Sequence, residues 1–560
     1  MTEVREIALR LPEMVMRLKR LGSLHQSRLS FMRILLRRIA RENWSFERTK
    51  FSIDSAGVGH AVYTARGPER SYSLVAFAHD LPDEMRSDRV IAEAWDATFT
   101  LFDGVPTEAD ITRLSQNVPL QEAGRVSESE LSLSRANRSA RLWAHVVEAL
   151  AAGRQPEASV LDGVGYLMRT TAVYGSGKFG AADRGTYAGR PELRAPFQAE
   201  MLSVYLTRWF VRDLVEHMAA CAGGDKAVRL DPGLAESLGI GNSTGLGMAP
   251  FLINHPVLLN NWIRAREEAI RRVRATRDAT EEEVAIFRDR FARSQVTVSQ
   301  WQSQHPVQQR KLEDLREACA QISERLSETD FSQDFPWDHL LHWSQKALGE
   351  EGQEFLASLV LEPYGARVDE LADAMSDDFA RFPMIEGEMT VGALRGLLQD
   401  GFGWALDLDW QAPENCARVW YVSEEKLEPR LGERFEEPVE DYEQALAPGR
   451  DAATLYAALS DWGDAAPISD FLARCPQHRH IVRRVQIGVC APYGEIRDNT
   501  ISQTMMPIDM LRAKLSYFGA TRFDPRSDRW VRICMFAGAP YPSTLTGENA
   551  EDWVYPEVSA

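Results

Sequence analysis

Two glycine-bearing segments hold the residue types that could grip an anion. In "RTTAVYGSGKFGAADR" (169–184), Arg169 and Lys178 supply full charge, and Thr170, Tyr174 and Ser176 offer hydroxyl donors beside Gly177. In "GIGNSTGLGMAPFLINHP" (239–256), Asn242, Ser243 and Thr244 stand among glycines, and a helical run follows directly. Backbone amides without side chains can converge on a phosphate or carboxylate, and a following helix N-terminus adds positive partial charge. Both segments are therefore expected to be anion-binding loops. A third polar loop, "APYGEIRDNTISQTMMP" (491–507), adds Tyr493, Arg497 and Asn499 as substrate-binding candidates beside "RRVQIGVC", which reads as a strand.

Proton transfer needs a group near neutrality with a partner that fixes its state. "AFAHDLPDEMRSDR" (76–89) places His79 and Asp80 at the end of a strand, where a carboxylate can hold an imidazole in one tautomer. Lys178, Ser243 and His255 complete the catalytic candidates, His255 because it closes the glycine stretch just ahead of Pro256.

The diagnostic motifs are missing. "GSGKFG" has the Gly-Lys pair of a phosphate-binding P-loop but lacks its first glycine, and Phe179 follows the lysine where magnesium binding needs Ser or Thr. "GIGNSTG" is not the dinucleotide fingerprint either. Cys475, His478 and His480, and separately His339 and His342, lack the spacing of a zinc site, so no metal is assigned and no cofactor is named. "NSTGLGMAP" followed by "NHP" resembles the mobile loop of the fumarase and argininosuccinate lyase superfamily over a short stretch. It lacks that loop's lysine, and the superfamily's other signature segments have no counterpart here, so no role is carried over.

The elements that would position these residues are mixed. Residues 51–65 read as strand, turn and strand, and 71–79 as a third strand. Segments 406–423 and 522–537 repeat that cadence near the C-terminus, which suggests two related lobes. Residues 86–100, 128–152, 195–222, 257–275 and 281–327 show helical spacing, the last with acidic and basic residues three and four apart. The expected fold class is α+β, helix-rich, with mixed or antiparallel sheets in two lobes joined by a long helical hairpin. The predicted layout is 1–50 basic amphipathic helices, 51–256 an N-terminal lobe, 257–330 the hairpin and 331–560 a C-terminal lobe.

Composition narrows the function. The net charge of −18 over 560 residues disfavours general nucleic-acid binding and anionic membranes. Residues 1–50 are the exception, with twelve basic against five acidic residues, and are expected to dock on their own acidic body or on a second subunit. Glu3 and Glu6 interrupt any secretory signal, apolar runs fall short of a transmembrane span, and the six cysteines are scattered. The sequence thus predicts a soluble cytoplasmic enzyme, with homo-oligomerisation left open. It would act on a small anionic metabolite in a lyase, isomerase or hydrolase step. The alternatives are a nucleotide-dependent ligase or transferase using "YGSGKFG", and a non-enzymatic scaffold or regulator using its basic N-terminal helices.

Overall fold

A computed structural model describes residues 7–82, 94–120, 127–174, 189–245, 248–376, 385–412, 420–423, 426–429, 448–497, 506–524 and 530–555. The first strands are β1 (Ser45–Ile53), β2 (Gly59–Arg66), β3 (Ser71–Ala78), β4 (Ala97–Asp103), β5 (Glu130–Arg138), β6 (Tyr166–Tyr174) and β7 (Gly239–Gly245). Later come β8 (Trp420–Ser423), β9 (Lys426–Pro429), β10 (Arg522–Asp524) and β11 (Trp530–Met535). The chain divides into two compact units, each assembled from separate stretches. The fold is α+β and helix-rich.

The first unit comprises Ser30–Ser243, Phe518–Asp524 and Arg532–Ala560. Its helices include α1 (Phe31–Arg41), α2 (Glu108–Ser115), α3 (Trp143–Ala151) and α4 (Gln198–Gly223). A mixed nine-stranded sheet runs β1-β2-β3-β4-β5-β6-β7-β11-β10. It is antiparallel from β1 to β6 and parallel between β6 and β7. The C-terminal strands β10 and β11 therefore extend the sheet of the N-terminal strands, and β8 and β9 form a separate pair. One face carries Tyr63 and Phe99, whose rings meet Phe210 of α4 edge-on at 6.2 and 5.7 Å. Over most of its length α4 is buried on all sides, which is why its apolar residues form no single stripe. On the opposite face, Ile111 and Leu114 of α2 pack with Val62, Val75, Phe77 and Phe102.

Three local readings change in this unit. Residues 97–103 and 130–138 are strands rather than parts of helices, because "ATFTLFD" and "ELSLSRANR" alternate across a pleat and the helical spacing arose from joining unlike elements. "GIGNSTG" is a strand, not a loop, and its glycines serve packing. A Cβ on Gly239 would sit 2.4 Å from the Met535 carbonyl oxygen, and one on Gly241 would sit 2.6 Å from the Tyr166 ring. Gly239→Ala should therefore destabilise the protein by about 1–3 kcal/mol, read as a lower denaturant midpoint. An unchanged midpoint would show that the sheet yields there at no cost.

The second unit comprises Met1–Leu29, Thr244–Tyr517 and Pro525–Val531. Its helices include α5 (Met248–Asn254), α6 (Pro256–Arg274), α7 (Glu281–Gln300), α8 (Pro306–Glu328) and α9 (Glu350–Leu359). Further on lie α10 (Val391–Leu406), α11 (Pro448–Ala458) and α12 (Arg479–Cys490). Helices α7 and α8 form an antiparallel hairpin: Arg288 donates to the Leu326 carbonyl and Gln295 to that of Cys319. A capping box between Thr280 and Glu283 starts α7. Helix α12 occupies "RRVQIGVC", read above as a strand. Ile481, Val482 and Val485 are buried at helical spacing against Leu394, Leu398 and Phe402 of α10, so the tertiary contact overrides the β-branched composition.

The basic N-terminal residues are engaged inside this unit. Arg10 and Arg20 bond the Glu354 carboxylate at 2.8 and 2.9 Å, Arg10 also bonds Glu267 at 2.7 Å, and Arg28 bonds Asp369 at 2.8 Å. Arg266, from α6, approaches Glu354 at 2.7 Å. Among the described residues, no helix is long and apolar enough to cross a membrane.

Candidate functional site

Strand register brings one set of chemical residues together. Ala78 lies opposite Ala97, and Ala97 opposite Ala136, so the next residues at that end of the sheet are His79, Asp96 and Asn137. Asn137 in turn pairs with Arg169. Backbone contacts continue the row: the His79 amide donates to the Asp96 carbonyl at 2.9 Å, and the Arg138 amide donates to Asp96 Oδ2 at 2.9 Å. Two residues further along the same strands comes a second row of Phe77, Thr98 and Arg135. Residues two apart on a strand share a face, so both rows line one surface about 7 Å deep.

The polar atoms of this surface are largely unsatisfied. His79 Nε2, Trp95 Nε1, Asp96 Oδ1, Thr98 Oγ1 and Asn137 Nδ2 are buried without a hydrogen-bond partner among the described residues. Trp95, Asp96 and Thr98 are only 2%, 5% and 1% exposed, so bulk water does not supply the missing bonds. Each such group costs about 1–3 kcal/mol if it stays unpaired. Arg135 lies over the Trp95 ring, 4.9 Å from its centroid. Burial lowers its pKa, and no carboxylate pairs with it among the described residues.

His79 is the titratable centre of this cluster. Burial pushes its imidazole down to about 4, with Asp96 opposing the shift and Arg138 adding to it. It is therefore neutral near pH 7, with one ring nitrogen to donate and one to accept. An unfolded histidine takes its proton at higher pH, so stability is fully present above about pH 6.5 and is lost as the pH falls towards 4. His79→Gln should reduce that acid slope, measured as denaturant midpoints near pH 7 and near pH 4.5. An unchanged slope would mean that other groups carry it.

The remaining candidates separate between the two units. In the first unit, Asp80 is exposed, and Asp96 takes the place opposite His79. Thr170 donates to the Arg135 carbonyl at 2.9 Å and Asn242 to the Thr170 carbonyl at 3.3 Å, so both tie neighbouring strands together. Ser243 and Thr244 lie on β7 and Tyr174 ends β6, with side chains outside the described residues. Ser176, Gly177, Lys178 and Asn499 also lie outside them.

In the second unit, His255 Nδ1 donates to the Phe251 carbonyl at 2.7 Å at the start of α6. Tyr493 receives its place from both sides, its amide donating to Asn260 and its hydroxyl to the Arg10 carbonyl. Arg497 donates to the carbonyls of Gly401 and Pro492. The end of the glycine stretch and the third polar loop thus do meet, since Arg484 reaches the Ile253 carbonyl and Glu495 together.

No family model, curated protein or solved structure matches this chain.

The sheet-end surface therefore rests on its own geometry. Its sequence candidates are His79 and Arg169. Asp96, Arg135 and Asn137 come from the register, and Trp95 and Arg138 from their contacts with Arg135 and Asp96, although "SRANR" did carry a signal, with Arg135 and Asn137 two apart on a strand.

Proposed function

We propose that the protein binds a small carboxylate- or phosphate-bearing metabolite at this end of the sheet and acts on it by acid–base chemistry. The observation that carries this reading is Arg135, a half-buried guanidinium stacked on Trp95 with no carboxylate partner among the described residues. An anion beside it would gain a charge-assisted bond, and the unpaired donors of Trp95 and Asn137 would complete its shell. Arg169, on the adjoining strand, adds positive potential to the same row.

The proton-moving pair in this reading is His79 and Asp96. A neutral imidazole can take a proton from bound substrate, and the neighbouring carboxylate stabilises the imidazolium that results. A bound anion would also raise the His79 pKa. By reciprocity, protonating His79 would tighten the anion, so affinity should rise as the pH falls below neutrality.

The other readings have less to draw on. Beyond Tyr174, "YGSGKFG" lies outside the described residues, and the N-terminal arginines that a scaffold would present are already paired with carboxylates. The test is a thermal-shift panel of small carboxylates and phosphates on the wild-type protein. A true ligand at about 100 times its Kd adds about 2.7 kcal/mol of stability, a shift of several degrees. A panel in which no anion raises Tm would count against the proposal.

A further inference from the structure

A second site lies in the other unit. Helices α10 and α12, the loop 491–497 and Pro256 enclose a cavity of about 190 Å³. A single water needs about 10–15 Å³ by the same measure, so this space takes a molecule of roughly ten non-hydrogen atoms. Much of its wall is apolar, including Leu397, Phe402, Val485 and Ile487. Gly488 leaves room there, since a Cβ on it would meet nothing within 4 Å.

The charges in the wall are not equivalent. Arg484 and Glu495 are both buried and bond each other twice, at 2.5 and 3.0 Å, and so form a neutral, satisfied pair. Arg497 differs. Its two terminal nitrogens donate to backbone carbonyls, its Nε is buried without a partner, and no carboxylate pairs with it among the described residues. A full positive charge and an unused N–H therefore stand beside an apolar space.

We propose that this cavity binds a small monocarboxylate with an apolar body. The carboxylate pairs with Arg497, and the body rests on the apolar side chains of α10 and α12. One guanidinium matches one negative charge. A phosphate dianion would be left undercompensated, with Asp400 and the C-terminal carbonyls of α12 at the same wall adding negative potential. The proposal does not rest on the sheet-end reading.

The test is isothermal titration of the full chain with isocaproate and with its uncharged amide. Isocaproate should bind, and the amide should bind at least about tenfold more weakly. Gly488→Leu should fill the cavity and abolish binding while far-UV circular dichroism is retained. Removing a helical glycine should also leave Tm unchanged or higher. Arg497→Met should erase the preference for the acid over the amide. Arg135→Met should leave isocaproate binding intact, which separates this site from the sheet. Equal binding of acid and amide, full isocaproate binding in Gly488→Leu, or no isocaproate binding by the wild type would each overturn the assignment.

Discussion

Glu354→Gln is expected to destabilise the second unit by about 3–5 kcal/mol. The Glu354 side chain is fully buried and answers Arg10, Arg20 and Arg266 at once. Burial alone would raise its carboxyl, but Arg10, Arg266 and Arg20 outweigh it and hold the group well below the usual carboxylate range. Glutamine keeps the shape and removes the charge, leaving Arg10 and Arg266 to share Glu267 and Arg20 with Glu350 alone. Such a loss should lower Tm by roughly 6–10 °C. Glu350, one-third exposed and 3.6 Å from Arg20, is the contrasting case, and Glu350→Gln should cost less than about 1 kcal/mol. The sign with pH follows from the lowered Glu354 pKa: this stabilisation is present above the ordinary glutamate range and fades as acid titrates the folded carboxylate. Similar Tm changes in the two variants would show that the buried cluster is not what orders the N-terminal arginines.

Arg135→Met is expected to weaken anion binding by roughly 10- to 100-fold while leaving stability within about 1 kcal/mol. The two effects part because Arg135 has no carboxylate to lose in the free protein, and methionine preserves the apolar contact with Trp95. An arginine with a purely structural role would behave in the opposite way, lowering Tm and leaving the ligand untouched. Asp96→Asn should then allow binding but suppress turnover, since an amide stabilises an imidazolium at His79 poorly. His79→Gln should remove the rise in affinity below neutral pH.

The sequence made the short-range features readable. Strands β1 to β3 follow from alternation and a Gly-bearing turn, and the helical character of 281–327 follows from its paired charges, whereas its division into α7 and α8 does not. Longer-range relations were hidden. Nothing local places Asp96 opposite His79, because that neighbour is chosen by strand order and not by chain proximity. Asp80 was the obvious partner by sequence, yet successive residues on an extended chain diverge. The glycines of "GIGNSTG" suggested turns, and only the tight approach of Tyr166 and Met535 explains them as part of a strand. In α12, β-branched residues imitated a strand until packing against α10 supplied the helical period. The charge of the basic N-terminus pointed to an acidic docking surface, but the carboxylates that meet Arg10 lie more than 250 residues away and no local pattern names them.

The central claim is that the sheet end holds a small anion on Arg135. Native mass spectrometry of the untagged protein, beside its Arg135→Met variant and after incubation with mixed phosphates and dicarboxylates, which the monocarboxylate cavity does not take, tests it most directly. The account predicts a non-covalent adduct of small anionic mass on the wild type that is lost or sharply reduced in the variant. Identical spectra for the two proteins, whether both bare or both loaded, would contradict it.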